Sequence, residues 1–298
     1  MNKNIKSIML LFLLLISFTG CTMEVTSADT AASKAMEGRN LKILTTNPII
    51  KNMIDSLSGD HHETDCLVKN AEDMKGFTPD MDELKEKNYN SIFYMGSGYE
   101  PFMEYIINTT DRNKTDIINI SRGIDILRYK EDKLDSLNYY YLTNSGNFQI
   151  ALFSVKNALQ EMDWARTSEY DEKFEKISRE LDAFQKELRQ FAASNKDMVF
   201  VSDNDFTAYI CQEYHEPHKR ITDYRREMED PATSKSSSTI LKEKALFLYT
   251  EEASLKKYAD DIVKYRLKPV KIILYDYSLP MTSVYRKNFE NIRKAVED

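Results

Sequence analysis

The sequence predicts an α/β protein of two lobes, each built around a central, mainly parallel sheet, joined by one long rigid helix. Three observations point there. Short apolar runs alternate with helix-period stretches from Leu41 onward, the pattern of parallel strands covered by helices on both faces. That alternation stops in the middle of the chain and resumes near Met198. In the gap, Tyr170, Phe174, Ile177, Leu181, Phe184, Leu188 and Phe191 step by 4, 3, 4, 3, 4 and 3. Seven large apolar groups therefore share one face of a helix from about Trp164 to Ala193. At 1.5 Å per residue that rod is about 45 Å long, enough to cross both lobes. Its aromatic-rich seam suits a spine better than a regular two-helix supercoil.

The N-terminus is of another kind. Lys3 and Lys6 precede an unbroken apolar run, Ile8–Ile16, and then Ser17-Phe18-Thr19-Gly20-Cys21. A basic start, a short apolar stretch and small residues before a cut describe an export signal over residues 1–20. Cys21 stands where a bacterial lipoprotein carries its lipid-modified cysteine. The polar, unperiodic residues 21–39 read as a flexible tether off a membrane surface.

The first lobe is expected over residues 40–145, with strands at Leu41–Thr45, Thr64–Val68, Ser91–Met95 and Asp116–Ile120. Ile49, Ile50, Met53, Ile54 and Leu57 give a helix between the first two, stopped by Ser58-Gly59-Asp60. Pro79–Glu86 reads as a helix with proline in its first turn. A helical linker containing the spine spans 146–194, and the second lobe spans 195–298. There, strands are expected at Met198–Ser202, Ala245–Tyr249 and Val270–Tyr275, with helices at Phe206–Tyr214, Ala253–Tyr265 and Val284–Val296. The Ser- and Thr-rich stretch at 230–239 reads as a surface loop, and no internal repeat is evident.

Composition excludes several function classes. The 41 Lys and Arg stand against 48 Asp and Glu, a net charge of −7, and loss of Lys3 and Lys6 with the signal makes it −9. An acidic chain lacks the basic surface that a nucleic-acid backbone demands. With Cys21 lipidated, Cys66 and Cys211 remain, each in an apolar-biased segment that favours two buried thiols over a disulfide. The four histidines fall in two pairs, His61-His62 and His215/His218, both read as solvated polar loops. No phosphate-cradling Gly-rich loop, His-Glu-x-x-His pair or Gly-x-Ser-x-Gly elbow is present, so an enzyme is not expected.

Several segments, in order, carry a resemblance: Leu41-Lys42-Ile43-Leu44-Thr45-Thr46-Asn47-Pro48, with Gly59-Asp60 after its helix; Tyr94-Met95-Gly96-Ser97-Gly98-Tyr99-Glu100-Pro101-Phe102; the long helix around Tyr170–Phe191; Val201-Ser202-Asp203-Asn204-Asp205-Phe206 followed by Tyr209; Tyr249-Thr250-Glu251-Glu252; and Tyr285 through Asn288. Together they resemble the bacterial solute-binding lipoproteins (cluster A-I) that deliver zinc or manganese to ABC importers. The resemblance implies two Rossmann-like lobes, a ligand in the cleft between them, and docking of an extracytoplasmic, lipid-anchored monomer onto a permease with a cytoplasmic ATPase.

It also implies four metal ligands, two histidines from the first lobe and two further groups from the second. Here Met74, within Glu72-Asp73-Met74-Lys75-Gly76-Phe77, takes the first histidine's place, and Tyr139 takes the second's, with Tyr140 the alternative by a shift of one residue. Asp203 and Asp276 match the second-lobe positions. A thioether, a phenol and two carboxylates supply no imidazole, and a tight zinc site is not expected from them. The solute is left open: a divalent metal, manganese or zinc, held with help from Glu72, Asp73 or Asp205, or no metal at all. A small cationic or aromatic organic ligand is the further possibility, in a pocket lined by Tyr139 or Tyr141 and Phe77, with Tyr140, Tyr94 and Tyr99 nearby. A rival reading is a surface accessory or adhesion lipoprotein on the same fold.

Overall fold

The computed structural model describes residues 38–128, 137–230 and 244–297. The signal, Cys21, almost all of the tether and nearly all of the Ser- and Thr-rich stretch lie outside the described residues.

In the first lobe β1 (Lys42–Thr45), β2 (Glu63–Cys66), β3 (Ser91–Tyr94) and β4 (Asp116–Asn119) form one wholly parallel sheet in the order β2-β1-β3-β4. Between β1 and β2 lies α1 (Pro48–Ser58). Asn47 caps it by accepting from the Ile49 and Ile50 amides, and Pro48 occupies the first turn, where it has no N–H to leave unpaired. Helix α2 (Met81–Lys87) begins later than the sequence suggests. Asp80 is its N-cap, accepting from the amides of Asp82 and Glu83, so Pro79 precedes the helix. Helix α3 (Met103–Thr109) leads into β4.

Two long helices follow, α4 (Ser145–Met162) and α5 (Thr167–Ser194), with a 3-10 turn at Trp164–Arg166 between them. Of the predicted seam, Tyr170, Leu181, Phe184 and Leu188 are buried, and Phe174, Ile177 and Phe191 are partly so. The start of α5 touches the first lobe, where Glu169 meets His61 and Tyr170 meets His62. Its other end touches the second lobe, where Phe191 packs edge-on against Phe289 and Tyr214. The helix therefore spans both lobes.

The second sheet holds β5 (Met198–Ser202), β6 (His218–Arg220), β7 (Lys244–Tyr249) and β8 (Lys268–Lys271), again all parallel, in the order β6-β5-β7-β8. Helices α6 (Ala208–Glu213), α7 (Ile221–Glu229), α8 (Glu252–Lys257), α9 (Ala259–Lys264) and α10 (Met281–Glu297) cover it. Two expectations need correction. The segment holding His218 is a strand rather than a loop: the His218 imidazole bonds to Ser202 Oγ at 2.7 Å and fastens β6 beside β5. The last strand ends at Lys271 instead of Tyr275 because the Asn288 side chain of α10 takes over the pairing. Its Oδ1 accepts from Ile273 N (2.9 Å) and its Nδ2 donates to Ile273 O (2.8 Å), satisfying both main-chain groups without a neighbouring strand.

One continuous apolar core runs through the molecule, from Ile43, Ile50 and Phe93 past Leu152 and Leu181 to Phe200, Leu248 and Phe289. Each lobe adds a smaller cluster on its outer side, around Met81 and Ile106 in the first and Val201 and Phe247 in the second.

Candidate functional site

The loop after β3 carries the first lobe's contribution to the cleft. Gly96, Ser97 and Gly98 all have positive φ. At Gly96 a Cβ would lie 2.3 Å from Asn119 Oδ1, so this turn requires glycine on two counts. Its conformation lets Glu100 fold back and accept from the Met95 amide (2.7 Å), the Gly96 amide (3.1 Å) and Thr46 Oγ1 (2.6 Å). Burial pushes the Glu100 carboxyl up to about 7 against the pull of those donors. Tyr99, fixed between the turn and Glu100, points across to the other lobe.

There its hydroxyl meets that of Tyr277 at 2.7 Å. The Tyr99 ring also lies 5.5 Å from Tyr275 and 5.3 Å from Tyr139. Tyr140 packs between Tyr139 (4.7 Å), Tyr275 (5.1 Å) and Phe206 (5.1 Å). The interior of the cleft is thus a cluster of six aromatic rings drawn from both lobes. Hydroxyls from this cluster and its surroundings reach backbone across it. Tyr275 donates to Tyr139 O (2.7 Å), Tyr141 to Met95 O (2.8 Å) and Tyr285 to Leu142 O, while Tyr209 accepts from Leu127 N (2.7 Å). Removal of these phenols from water holds the Tyr99, Tyr140 and Tyr277 hydroxyls in their neutral form, far above the usual phenol range.

The four positions expected to correspond to metal ligands fare differently. Met74, in a 3-10 turn at Ala71–Lys75, is 3 % exposed and packs in the first lobe's outer cluster with Leu44, Val68 and Phe102. Its thioether is a core group. Tyr139 is half-buried in the ring cluster. Asp203, at the end of β5, accepts from Asn204 Nδ2 (2.9 Å) on one oxygen and Ser254 Oγ on the other. Asp276 accepts the Ser278 amide (2.9 Å) and hydroxyl (2.6 Å) on one oxygen and faces a groove at the cleft mouth. That groove, about 540 Å³, is bounded by Glu72 from the first lobe and by Thr250, Lys271, Tyr275, Asp276 and Tyr277 from the second. Among the described residues, no three His, Cys, Asp or Glu side chains converge as a metal site. The donors present do not make a tetrahedral nitrogen or sulfur set.

Of the two residues expected to line a pocket, Tyr141 is fully buried and belongs to the core joining the lobes. Phe77 is half-buried, edge-on to Phe102 at 5.2 Å, and borders a first-lobe depression with Asp65 and Lys69. The histidines at 61 and 62 are no solvated pair. His61 bonds to Glu169 at 3.0 Å, and His62 is buried, taking the Leu41 amide on Nδ1 (3.4 Å) and meeting the Tyr170 hydroxyl through Nε2 (2.8 Å). Burial lowers the His62 pKa. Cys66 and Cys211 are both unpaired. Sequence reasoning passed over Tyr275, Tyr277 and Phe206. The symmetric placement of two tyrosines around Asp276, on a segment that leaves the sheet, was the available signal.

Comparison with known proteins agrees with this architecture. The metal ABC transporter substrate-binding lipoprotein ScbA of Streptococcus cristatus is 23% identical over 301 residues, covering 96% of this chain and 90% of its own. The manganese ABC transporter substrate-binding lipoprotein scaA of Streptococcus gordonii is 23% identical, covering 99% and 93%. The solved structure of the metal-dependent lipoprotein YcdH from Bacillus subtilis superposes with a TM-score of 0.67 at 14% identity, over 86% of this chain and 98% of its own. The family model described as zinc-uptake complex component A, periplasmic, matches residues 43–294, and the chain belongs to that family.

Proposed function

We propose that this protein is the extracytoplasmic solute-binding component of an ABC importer, anchored through a lipid on Cys21, with a cleft that no longer holds zinc through nitrogen ligands. The family match across both lobes supports the importer role. One observation carries the statement about the solute: the interior of the cleft is filled by Tyr99, Tyr139, Tyr140, Tyr275, Tyr277 and Phe206 packed on one another, while Asp276 faces the groove outside them. A solute that docks there meets the Asp276 and Glu72 carboxylates, the Tyr275 and Tyr277 rings, and the Lys69 and Lys271 side chains. With Lys271 drawn to Glu252 (3.2 Å), the two carboxylates and two phenol rings suit a small organic cation, and the groove volume falls in the range of such sites. A divalent metal bound through Asp276, Glu72 and water is the second reading, favoured by the carboxylates facing one groove.

The test is the thermal midpoint in the presence of zinc, manganese, ferric ion and a panel of small organic cations. A ligand present at 100 times its Kd stabilises by about 2.7 kcal/mol. The expected result is a shift with an organic cation, abolished in Asp276→Asn, and little shift with zinc. A large zinc shift that survives Asp276→Asn overturns the reading of the cleft. No shift with any compound leaves the chain as a surface accessory protein on the same fold.

A further inference from the structure

The chain has a single tryptophan, Trp164. It is 62 % exposed in the short turn between α4 and α5, the most exposed aromatic side chain among the described large apolar residues. The same corner receives the first residues of the folded body. Arg39 N donates to Asp163 Oδ1 (2.7 Å), Arg39 Nη1 donates to Met162 O (3.2 Å), and Arg166 Nη1 returns a bond to Arg39 O (2.9 Å). Beneath them Asp163 is fully buried, and it also accepts from Arg166 (2.7 Å) and the Tyr170 hydroxyl (2.7 Å). The corner is built to grip the point where the N-terminal segment joins the body. Cys21 lies 18 residues before Arg39, a span of at most about 60 Å even fully extended. No other part of the body is tied to that cysteine by a shorter stretch of chain.

We propose that this corner is where the body rests on the membrane, with the Trp164 indole seated among the lipid headgroups of the bilayer that carries the anchor. The proposal rests on the lipid at Cys21. An indole combines a broad apolar ring with one N–H donor and partitions to the boundary between headgroups and acyl chains. Most charges around it are matched locally, Arg166 with Asp163 and Lys173 and His61 with Glu169, while the Arg39 guanidinium rests on the Met162 carbonyl. The indole recognises the interface itself, and added salt leaves that apolar contact in place. One indole is too little to hold a protein on a bilayer alone. Combined with a lipid chain it supplies a second contact that fixes which face of the receptor looks toward the membrane.

Because Trp164 is the sole tryptophan, its emission reports this corner alone. The intact lipidated chain is reconstituted into phosphatidylcholine vesicles, with and without lipids bearing quenchers near the headgroup or deep in the acyl chains, and separated by flotation. The expected result is co-flotation, a blue shift of the emission, and stronger quenching by the shallow label, unchanged by salt; Trp164→Phe removes the signal without preventing flotation. Flotation with unshifted, unquenched emission overturns the docking while leaving the anchor reading intact. Failure to float overturns both. Emission that is already blue-shifted in the Cys21→Ser chain without vesicles assigns the cover of Trp164 to the protein itself and overturns the bilayer as its partner.

Discussion

The first lobe orders its strands β2-β1-β3-β4 and the second β6-β5-β7-β8, the same arrangement reached by two sequences with no visible repeat. Two loops, one from each lobe, that bring residues to the cleft are built by opposite means. After β3 the chain turns through three consecutive residues of positive φ, and Glu100 gathers the main-chain amides. After β5 the turn is held by side chains: Ser202 Oγ donates to Asn204 O, Asn204 Oδ1 accepts from Phe206 N, and Arg220 grips Asp205 through two bonds of 2.8 and 2.6 Å. Both loops deliver an aromatic ring to the cleft, Tyr99 and Phe206, and the side-chain-built one also carries Asp203, tied to Ser254. One strand order accommodates loops of quite different local chemistry.

The harshest probe of this pairing removes a buried ring from each sheet. Phe93→Ala and Phe200→Ala each empty a fully buried site in the shared core and should cost about 3–5 kcal/mol. Both should lower a single unfolding transition in calorimetry, since one core serves both lobes. Two separated transitions in either variant would show that the lobes unfold independently.

A smaller effect separates the two loops. Gly96→Ala meets both a strained φ and the Asn119 side chain, and should destabilise by about 2 kcal/mol in urea titration. Asn204→Ala loses a cap and the bond to Asp203 but adds no strain, and should cost about 1 kcal/mol. Equal losses would erase the distinction between backbone-built and side-chain-built turns.

The contact between lobes can be weighed with Tyr99→Phe, Tyr277→Phe and the double variant. Each single change should cost about 1 kcal/mol, with a coupling of about 0.5–1.5 kcal/mol if the two hydroxyls bond directly. Additive losses would mean the two act through other groups.

The gentlest test compares buried carboxyls. Burial raises Glu100 in the first lobe and Glu213 in the second to about 7, from an ordinary 4.5. A raised folded-state pKa gives stability that is full below the unfolded value and is lost as pH climbs through the folded one. The thermal midpoint should therefore carry a downward component between pH 4.5 and 7. Glu213→Gln, whose amide oxygen can still accept from the Ser145 amide and hydroxyl, should flatten part of it. An unchanged slope in that variant would assign the loss to Glu100.

Much of the fold was legible because its signals are local. The seven-residue apolar seam, the Asn47-Pro48 cap and the apolar strand runs each act within a few residues. The failures lie where a distant partner decides. Lys268–Lys271 stops as a strand because Asn288, far along the chain, takes its hydrogen bonds. The polar triplet His218–Arg220 becomes a strand because Ser202 and Asp205 await it. Met74, expected at a ligand position, is drawn into a cluster that only the folded lobe assembles. For the cleft, residue identities were readable but directions were not: Tyr139 and Tyr141 are neighbours but one, yet the first joins the ring cluster and the second is sealed in the core.

Four tyrosine hydroxyls that tie segments across the molecule end on main-chain atoms, at Met95, Leu127, Tyr139 and Leu142. Such clasps are indifferent to the side chains carried at their receiving ends. Side chains at those four places can change while the alignment of the halves persists. A protein fastened in this way can vary its sequence over evolutionary time without having to reinvent its frame.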